Sequence, residues 1–435
     1  MSSDTDPTPK PVFSKQQILL IGLLLVGYSG YYLCRSNLSI ATPLLIEEFG
    51  KQGVTKTTIG GIVSLATLFY AFGKFVSGSL ADRVGGRTMF LTGMIGAALC
   101  SIIFALGGLP IFTIVWSLNR AVQSAGWVGM VKISSRWFSY SVYGTVMGIV
   151  SLSFLIGDSL SRLFLGQLVV AGMGWRGLFI TSGAVMAAIF TLSLFLLKET
   201  PSEVGEPEPE VNPANAYAEA GNSAETSGLM EILVPLMKNP MFWIVCGLSL
   251  GFTLLRDTFN TWIPQYLTEV VKMSKGDAGR ASALFPFFGG VSTIIAGLVS
   301  DKLGKTGRAL IILLGIILSI PALLVLSKGS FTGAPLFALT VLGAIAFLLL
   351  GPYSFLAGAI SLDFGGKKGS ATACGWIDGV GYLGAIFAGK GIGSIAEKQG
   401  WSTAFLVLTG VAGFSLVAAL AYFIMQRKAT AAEKS

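Results

Sequence analysis

Arg35 and Arg256 are the residues whose chemistry most needs explaining in this 435-residue chain. Each stands inside a long apolar stretch, one near the start of the first half of the chain and the other opening the second. A guanidinium stays charged at any physiological pH, so at membrane depth it must face a partner, a water-filled cavity or an anionic ligand. Two of them at equivalent places in two halves predict a site for a negatively charged solute. Tyr28, Tyr32 and Arg35 are spaced i, i+4, i+7, so on a helix they share one face, and two phenol hydroxyls would line the space the guanidinium enters. Lys74, with Tyr70 one turn before it, would add a third positive charge. The competing reading is charge pairing inside a helical bundle, but acids at these depths are too few to neutralise every cation.

Other charges in apolar stretches predict a structural cluster. Asp158 and Arg162 are spaced i, i+4 on the fifth stretch, with Arg120 of the fourth expected within their reach. Asp257 follows Arg256 directly, which predicts a different helix face rather than a same-face partner. Asp378 and Tyr382 share a face of the eleventh stretch. For Asp378 three roles stay open: acceptor for a substrate hydroxyl, proton site, or partner of Lys390.

The elements that must carry these groups follow from composition. With 53% hydrophobic and 12% charged residues and a mean hydropathy of +0.73, the chain reads as an integral membrane protein. Its net charge of +8 and pI near 9.2 are spread over helix ends and form no single patch, which argues against nucleic acid. The four cysteines, Cys34, Cys100, Cys246 and Cys374, lie in apolar stretches without C-x-x-C spacing and read as small core hydrophobes. The absence of histidine removes the commonest metal ligand and proton acceptor, so no metal or cofactor is expected and any proton coupling would need carboxylates. No nucleophile constellation and no G-x-x-x-x-G-K-[ST] phosphate loop is present, so neither an enzyme nor hydrolytic coupling is expected. The polar start of the chain and the length of the first apolar run predict no cleaved signal.

Runs of about 20 apolar residues predict about twelve membrane spans. The first six fall near 16–46, 58–82, 88–107, 110–133, 142–171 and 176–198. The second six fall near 239–269, 279–302, 307–327, 332–362, 369–397 and 401–426. This divides the chain into a tail 1–15, a six-helix domain 16–198, a central loop 199–238, a second six-helix domain 239–426 and a tail 427–435. Within that loop, 199–230 is rich in Glu, Pro, Asn and Ala, can bury little and is expected to be flexible. Arg83, Arg87, Lys198, Lys302, Lys305, Arg308, Lys367, Lys368, Arg427 and Lys428 fall on the face shared with both termini, which predicts cytoplasmic termini despite exceptions such as Lys272 and Lys275.

The halves are related in sequence. Gly78-Ser-Leu-Ala-Asp82-Arg83-Val-Gly85-Gly86-Arg87 follows the second span and Gly297-Leu-Val-Ser-Asp301-Lys302-Leu-Gly304-Lys305 follows the eighth. Arg35 and Arg256 are each followed eight residues later by a proline, Pro43 and Pro264. A parallel repeat of this kind places a site near the midplane, on the axis relating the halves.

The G-x-x-x-D-[RK]-x-G pattern resembles the loop signature of the major facilitator superfamily. That resemblance implies an all-α membrane protein of twelve transmembrane helices in two pseudo-symmetric six-helix bundles, acting as a monomer. It gives Asp82, Arg83, Arg87, Asp301 and Lys302 a gating or structural role away from substrate. A narrower resemblance, to the organophosphate:inorganic-phosphate antiporters, rests on four stretches. They are Gly27-Tyr28-Ser-Gly-Tyr31-Tyr32-Leu-Cys-Arg35-Ser-Asn37 with Pro43 beyond, Tyr70-Ala-Phe-Gly-Lys74-Phe75-Val-Ser-Gly78, Gln123-Ser-Ala-Gly126-Trp127 with Lys132 and Arg136-Trp137-Phe138, and Leu255-Arg256 with Trp262-Ile-Pro264-Gln-Tyr266-Leu267. Carried over by position, it implies that Arg35 and Arg256 hold a phosphate from opposite domains. The set Lys74, Tyr28, Tyr32, Tyr70, Tyr382 and Asp378 would surround the substrate.

The function so implied is exchange of a phosphorylated organic solute, such as a sugar phosphate or glycerol-3-phosphate, for inorganic phosphate by alternating access in a bacterial inner membrane. The chain departs from the pattern at Phe154, where glycerol-phosphate members carry a histidine, and at Ser36, where bacterial members commonly carry lysine. Selectivity would lie with Phe154, Phe259, Asn260, Trp127 and Asp378. Two alternatives remain. One is proton-coupled transport of another organic anion through Asp257, Asp363 or Asp378; the other is a transporter-like membrane sensor of a sugar phosphate.

Overall fold

In a computed structural model the described residues are 13–138, 140–207, 236–303, 306–329, 331–356 and 359–432. Among them there is no strand, as expected where lipid offers the backbone no hydrogen bonds and a helix satisfies its own. Six helices make the first half: α1 (Lys15–Phe49), α2 (Lys56–Val84), α3 (Gly86–Leu106), α4 (Leu109–Trp137), α5 (Tyr140–Val170) and α6 (Trp175–Leu196). Six make the second: α7 (Pro240–Glu269), α8 in two pieces (Lys275–Ala281 and Leu284–Leu303), α9 (Gly307–Lys328), α10 (Pro335–Leu356), α11 (Ala359–Lys398) and α12 (Gly400–Ala432). Nine of these, among the described residues, are long and apolar enough by length and composition to cross a membrane.

Helix starts carry the expected chemistry. Ser14 and Gln17 close a capping box at α1. In the second half the Asn239 side chain accepts from the Met241 amide ahead of α7, with Pro240 in the first turn. Pro43 and Pro264 both lie buried within α1 and α7, each removing one ladder hydrogen bond at the same distance beyond its arginine. Gly85, at φ 89°, makes the tight turn from α2 to α3 that only a residue without Cβ enters easily. The main boundary difference is α11, which begins ten residues before the predicted 369. Hydropathy reads where lipid is, and a helix can run on past it through the glycines and lysines at 365–369.

Packing repeats between the halves. α1 packs on α5 and α6, α2 on α4, and α3 on α4 and α6. In the same way α7 packs on α11 and α12, α8 on α10, and α9 on α10 and α12. The halves meet through α2 on α11 and α5 on α8, contacts that exchange under the same six-helix shift, and through α1 on α7. The two arginines therefore sit on the pair of helices that face each other across the relating axis.

The halves close on each other at the end carrying the α1–α2 and α7–α8 connections, called here the far end. There the Lys56 ammonium donates to both Glu269 oxygens at 3.1 Å, and the Thr57 amide donates to Glu397 at 2.7 Å. Lys275 pairs with Glu47. α2 and α11 approach so closely at Gly60 and Gly389 that a Cβ on Gly60 would lie 2.5 Å from the Gly389 carbonyl oxygen.

The sequence signature between α2 and α3 has a structural partner at the opposite end. The Glu199 carboxylate accepts from the Gly86 and Arg87 amides at 2.9 and 2.5 Å, capping α3, while the Arg87 guanidinium donates to the Leu194 and Leu197 carbonyls at 2.6 Å, capping α6. Arg136 adds an ion pair to Glu199 at 3.4 Å. The side chains of Asp82, Arg83, Asp301, Lys302, Asp363, Lys367, Lys368 and Cys374 lie outside those described. So do Gly304 and Lys305 and residues 208–235 of the central loop.

Candidate functional site: a cationic cavity between the halves

Arg35 precedes the end of α1 at Phe49 by 14 residues and Arg256 precedes the end of α7 at Glu269 by 13. At a rise of about 1.5 Å per residue both lie roughly 20 Å in from the far end. Both line a cavity of ≈ 970 Å³ between the halves. Tyr28, Tyr32, Tyr70, Lys74, Arg120, Asp158, Arg162, Asp378 and Tyr382 line it too, so the cavity gathers the expected substrate residues and the expected charge cluster together. On the side away from the far end its lining reaches Ile294 and Leu298 of α8, which are exposed.

Arg35 is held from one side. Its Nε donates to Gln123 Oε1 at 3.1 Å, and Gln123 is fixed in turn by donating to the Cys34 carbonyl at 3.2 Å and to Asn119. Its guanidinium lies 4.6 Å from the Tyr32 ring centre and 5.1 Å from that of Tyr70. Its Nη2 is buried and has no hydrogen-bond partner. Tyr28 packs behind Tyr32 with ring centres 5.7 Å apart and meets Trp127 at 5.5 Å, so the predicted shared face of α1 is present.

Arg256 is held differently. Its Nε and Nη2 lie 2.9 and 2.8 Å from Asp257 Oδ1, and its Nη1 donates to the Tyr353 hydroxyl at 2.5 Å. The expectation that Asp257 points away is therefore corrected. Neighbours on a helix differ by about 100° in direction, but a guanidinium on a three-carbon stem bends back across that angle when a cavity leaves room. Tyr353 of α10 had no sequence signal beyond its place in an apolar stretch.

Lys74 and Asp378 form an ion pair at 2.5 Å that joins α2 to α11. Of the geometries that the sequence left open, Asp378 takes none with Lys390 and pairs with Lys74 across the halves. Beside it the Tyr70 and Tyr382 rings meet edge to face at 5.2 Å, and the ammonium lies 5.2 and 5.0 Å from their centres.

Of the expected cluster, Asp158 and Arg162 pair at 3.0 Å and are buried, with Asp158 also accepting from Ser36. Arg162 further donates to the Asn260 carbonyl at 3.0 Å, so this pair ties α5 to α7. Arg120 does not join them, which corrects the expectation. Its guanidinium lies 4.6 Å from the Tyr70 ring centre and its Nη1 is buried without a partner. The rotation of α4 in the bundle, which no spacing within α4 encodes, turns Arg120 toward α2. Phe154 and Asn260 line the cavity as expected, but Phe259 does not; it stacks on Phe285 at 5.2 Å in the core of the second half.

The lining contains five basic side chains (Arg35, Lys74, Arg120, Arg162, Arg256) and three acidic ones (Asp158, Asp257, Asp378), leaving an excess of two positive charges. Three of the five cations are in ion pairs, and among the described residues the two without one are Arg35 and Arg120. A partly apolar cavity of this size with convergent unpaired donors suits a small anion. Among the described residues no group of His, Cys, Asp and Glu is placed to hold a metal ion.

Two related six-helix halves around a cationic cavity form the architecture of a membrane carrier. The sequence profile of the Major Facilitator Superfamily matches residues 24–389, and the chain belongs to that superfamily. It is a transporter and not an enzyme. Its relatives lie among the organophosphate:phosphate antiporters. The glycerol-3-phosphate transporter of Bacillus subtilis is 28% identical over 90% of this chain and 88% of its own length. The membrane sensor protein UhpC of Escherichia coli is 25% identical over 92% of this chain and 91% of its own. Among solved structures, an inward-facing bacterial homologue of the lysosomal transporter Spinster matches with a TM-score of 0.72 at 17% identity, covering 96% of this chain and 98% of that one. At that identity it speaks to the fold alone.

Proposed function

We propose that this protein exchanges a phosphorylated organic solute for inorganic phosphate. The observation that carries the reading is the cavity itself, with Arg35 and Arg256 at matching depth on opposing helices and two positive charges in excess. A phosphate monoester dianion offsets that excess, and guanidinium forks match its tetrahedral oxygens through paired charge-assisted hydrogen bonds. The relatives' names, a glycerol-3-phosphate transporter and hexose phosphate transport proteins, point to the same class.

Exchange follows from the charges. Drawing the halves together over an empty cavity brings like charges closer in a low dielectric, whereas a bound anion bridges them, so the loaded carrier reorients more readily than the empty one. Tyr28, Tyr32, Tyr70 and Tyr382 shape the cavity wall, and Lys74 with Asp378 hinges the halves beside it. The six-helix units are 16–198 and 239–426, the carrier acts as a monomer in a bacterial inner membrane, and both termini face the cytoplasm. Its partners are the lipid bilayer, inorganic phosphate and a small phosphorylated solute, and nucleic acid is not among them. In that orientation the described state is closed to the outside.

Counterflow tests this. Proteoliposomes loaded with phosphate should take up labelled phosphate or a sugar phosphate, and Arg35→Lys and Arg256→Lys should each cut exchange at least tenfold. No exchange by folded wild-type protein across a panel of phosphorylated solutes refutes the reading. The similarity to a membrane sensor supports one second reading, sensing of a sugar phosphate; signalling to a partner without flux would favour it.

A further inference from the structure

We infer that Arg120 is a third anion-binding arginine, and that in the described state phosphate docks first on the N-terminal half, between Arg35 and Arg120. This rests on the anion-exchange reading above and names the residues that receive the anion first. Arg35 Nη2 and Arg120 Nη1 are the two buried guanidinium nitrogens among the described residues that lack a hydrogen-bond partner. Both belong to side chains lining the cavity. Leaving such donors unpaired costs free energy unless something else satisfies them, and no acid of the cavity does: Asp158, Asp257 and Asp378 are each committed to Arg162, Arg256 and Lys74.

The two guanidinium groups lie over one ring. Arg35 is 5.1 Å and Arg120 4.6 Å from the centre of Tyr70, which limits their separation to less than about 10 Å. Lys74 stands 5.2 Å from the same centre. Three cations around one aromatic ring repel one another, and an anion placed among them relieves that repulsion and fills the open donors. Arg256 is in a different condition, since Asp257 and the Tyr353 hydroxyl already occupy its Nε, Nη1 and Nη2. To reach the anion it must exchange one of those partners. Docking on Arg35 and Arg120 therefore comes first, and recruitment of Arg256 from the opposite half comes with closure.

Arg120 gives no such signal in the sequence, where it belongs to none of the four stretches that resemble the antiporters. Arg120 places this third positive charge on α4, while Ser36, beside Arg35 on α1, carries none.

The test is phosphate–phosphate exchange in proteoliposomes, with phosphate-induced thermal stabilisation in detergent as a binding readout independent of turnover. Arg120→Gln should raise the phosphate KM about tenfold and reduce the stabilisation, with the maximal rate within about twofold of wild type. Arg120→Lys, which keeps the charge without the fork, should fall between the two. Asp257→Asn, which releases Arg256 early, should lower the phosphate KM. Wild-type KM and stabilisation in Arg120→Gln overturn the inference while leaving the exchange reading intact, as does a fall in maximal rate at unchanged KM. A wild-type protein that neither exchanges nor binds phosphate overturns both. If Arg120→Gln does not fold, Arg120→Lys decides by the same KM and stabilisation criteria.

Discussion

The clasp at the far end makes a quantitative prediction about the conformational equilibrium. The Lys56 ammonium donates to both oxygens of Glu269 at 3.1 Å, and this pair crosses from α2 to α7. Glu269 also accepts from Gln265 and from the Trp401 indole, each at 2.6 Å, but those bonds stay within the second half and survive separation of the halves. Of the bonds to Glu269, only that from Lys56 is lost on opening there. A hydrogen-bonded pair with a charged group is worth about 1.5 to 3 kcal/mol when buried, and less when water reaches it. With side chains 15% and 31% exposed, about 1 to 2 kcal/mol remains. Lys56→Gln should therefore multiply the ratio of far-end-open to far-end-closed protein by about 5 to 30. Spin labels at Lys51 and Gln399, both exposed at this end on opposite halves, would read the change as a larger long-distance fraction in pulsed dipolar spectroscopy. Glu269→Gln should shift it in the same direction, and the two changes together should do little more than either alone. An unchanged distance distribution in folded Lys56→Gln protein, or a Lys56→Gln effect undiminished in the Glu269→Gln background, refutes the assignment of this pair as the clasp.

Three other outcomes follow from contacts between or beneath the halves. Gly60→Ala puts a Cβ 2.5 Å from the Gly389 carbonyl oxygen and 2.7 Å from its carbon, backbone atoms that cannot turn aside, so it should force α2 from α11 and cut exchange more than tenfold with a longer Lys51–Gln399 distance. Asp378→Asn removes the partner of Lys74 and should lower thermal stability in detergent by about 1 to 3 kcal/mol, most of it recovered on adding Lys74→Met; equal stability of single and double variants would contradict an energetic pair. Asp158→Asn leaves Arg162, 3% exposed, as an uncompensated buried charge and should cost about 3 to 5 kcal/mol by the same unfolding measurement.

Much of this protein was legible without coordinates because lipid imposes a simple rule. A backbone that must satisfy itself over a fixed thickness leaves long apolar runs, and the runs predicted near 16–46 and 239–269 are α1 and α7 almost to the residue. Relations within one helix were legible for the same reason: Asp158 with Arg162, and Tyr28, Tyr32 and Arg35, follow from helical spacing. The repeat placed Arg35 and Arg256 at matching depths because duplicated helices of similar length carry them.

What spacing could not fix was how each helix is rotated about its own axis and which helix it faces. Lys74 and Asp378 are 304 residues apart, and only the packing of α2 on α11 makes them a pair. Arg120 turned toward Tyr70 and away from Asp158, and Phe259 toward the core and away from the cavity, because neighbouring helices decide which face of α4 and α7 is covered. Asp257 met Arg256 because the cavity left the long side chain free to bend. The sequence thus determined the spans, the duplicated halves and the cations to be neutralised. Tertiary structure alone decided which cations the protein's own acids neutralise and which two guanidinium donors stay open among the described residues, since long-range charges choose partners by distance and distance across a bundle is set by packing.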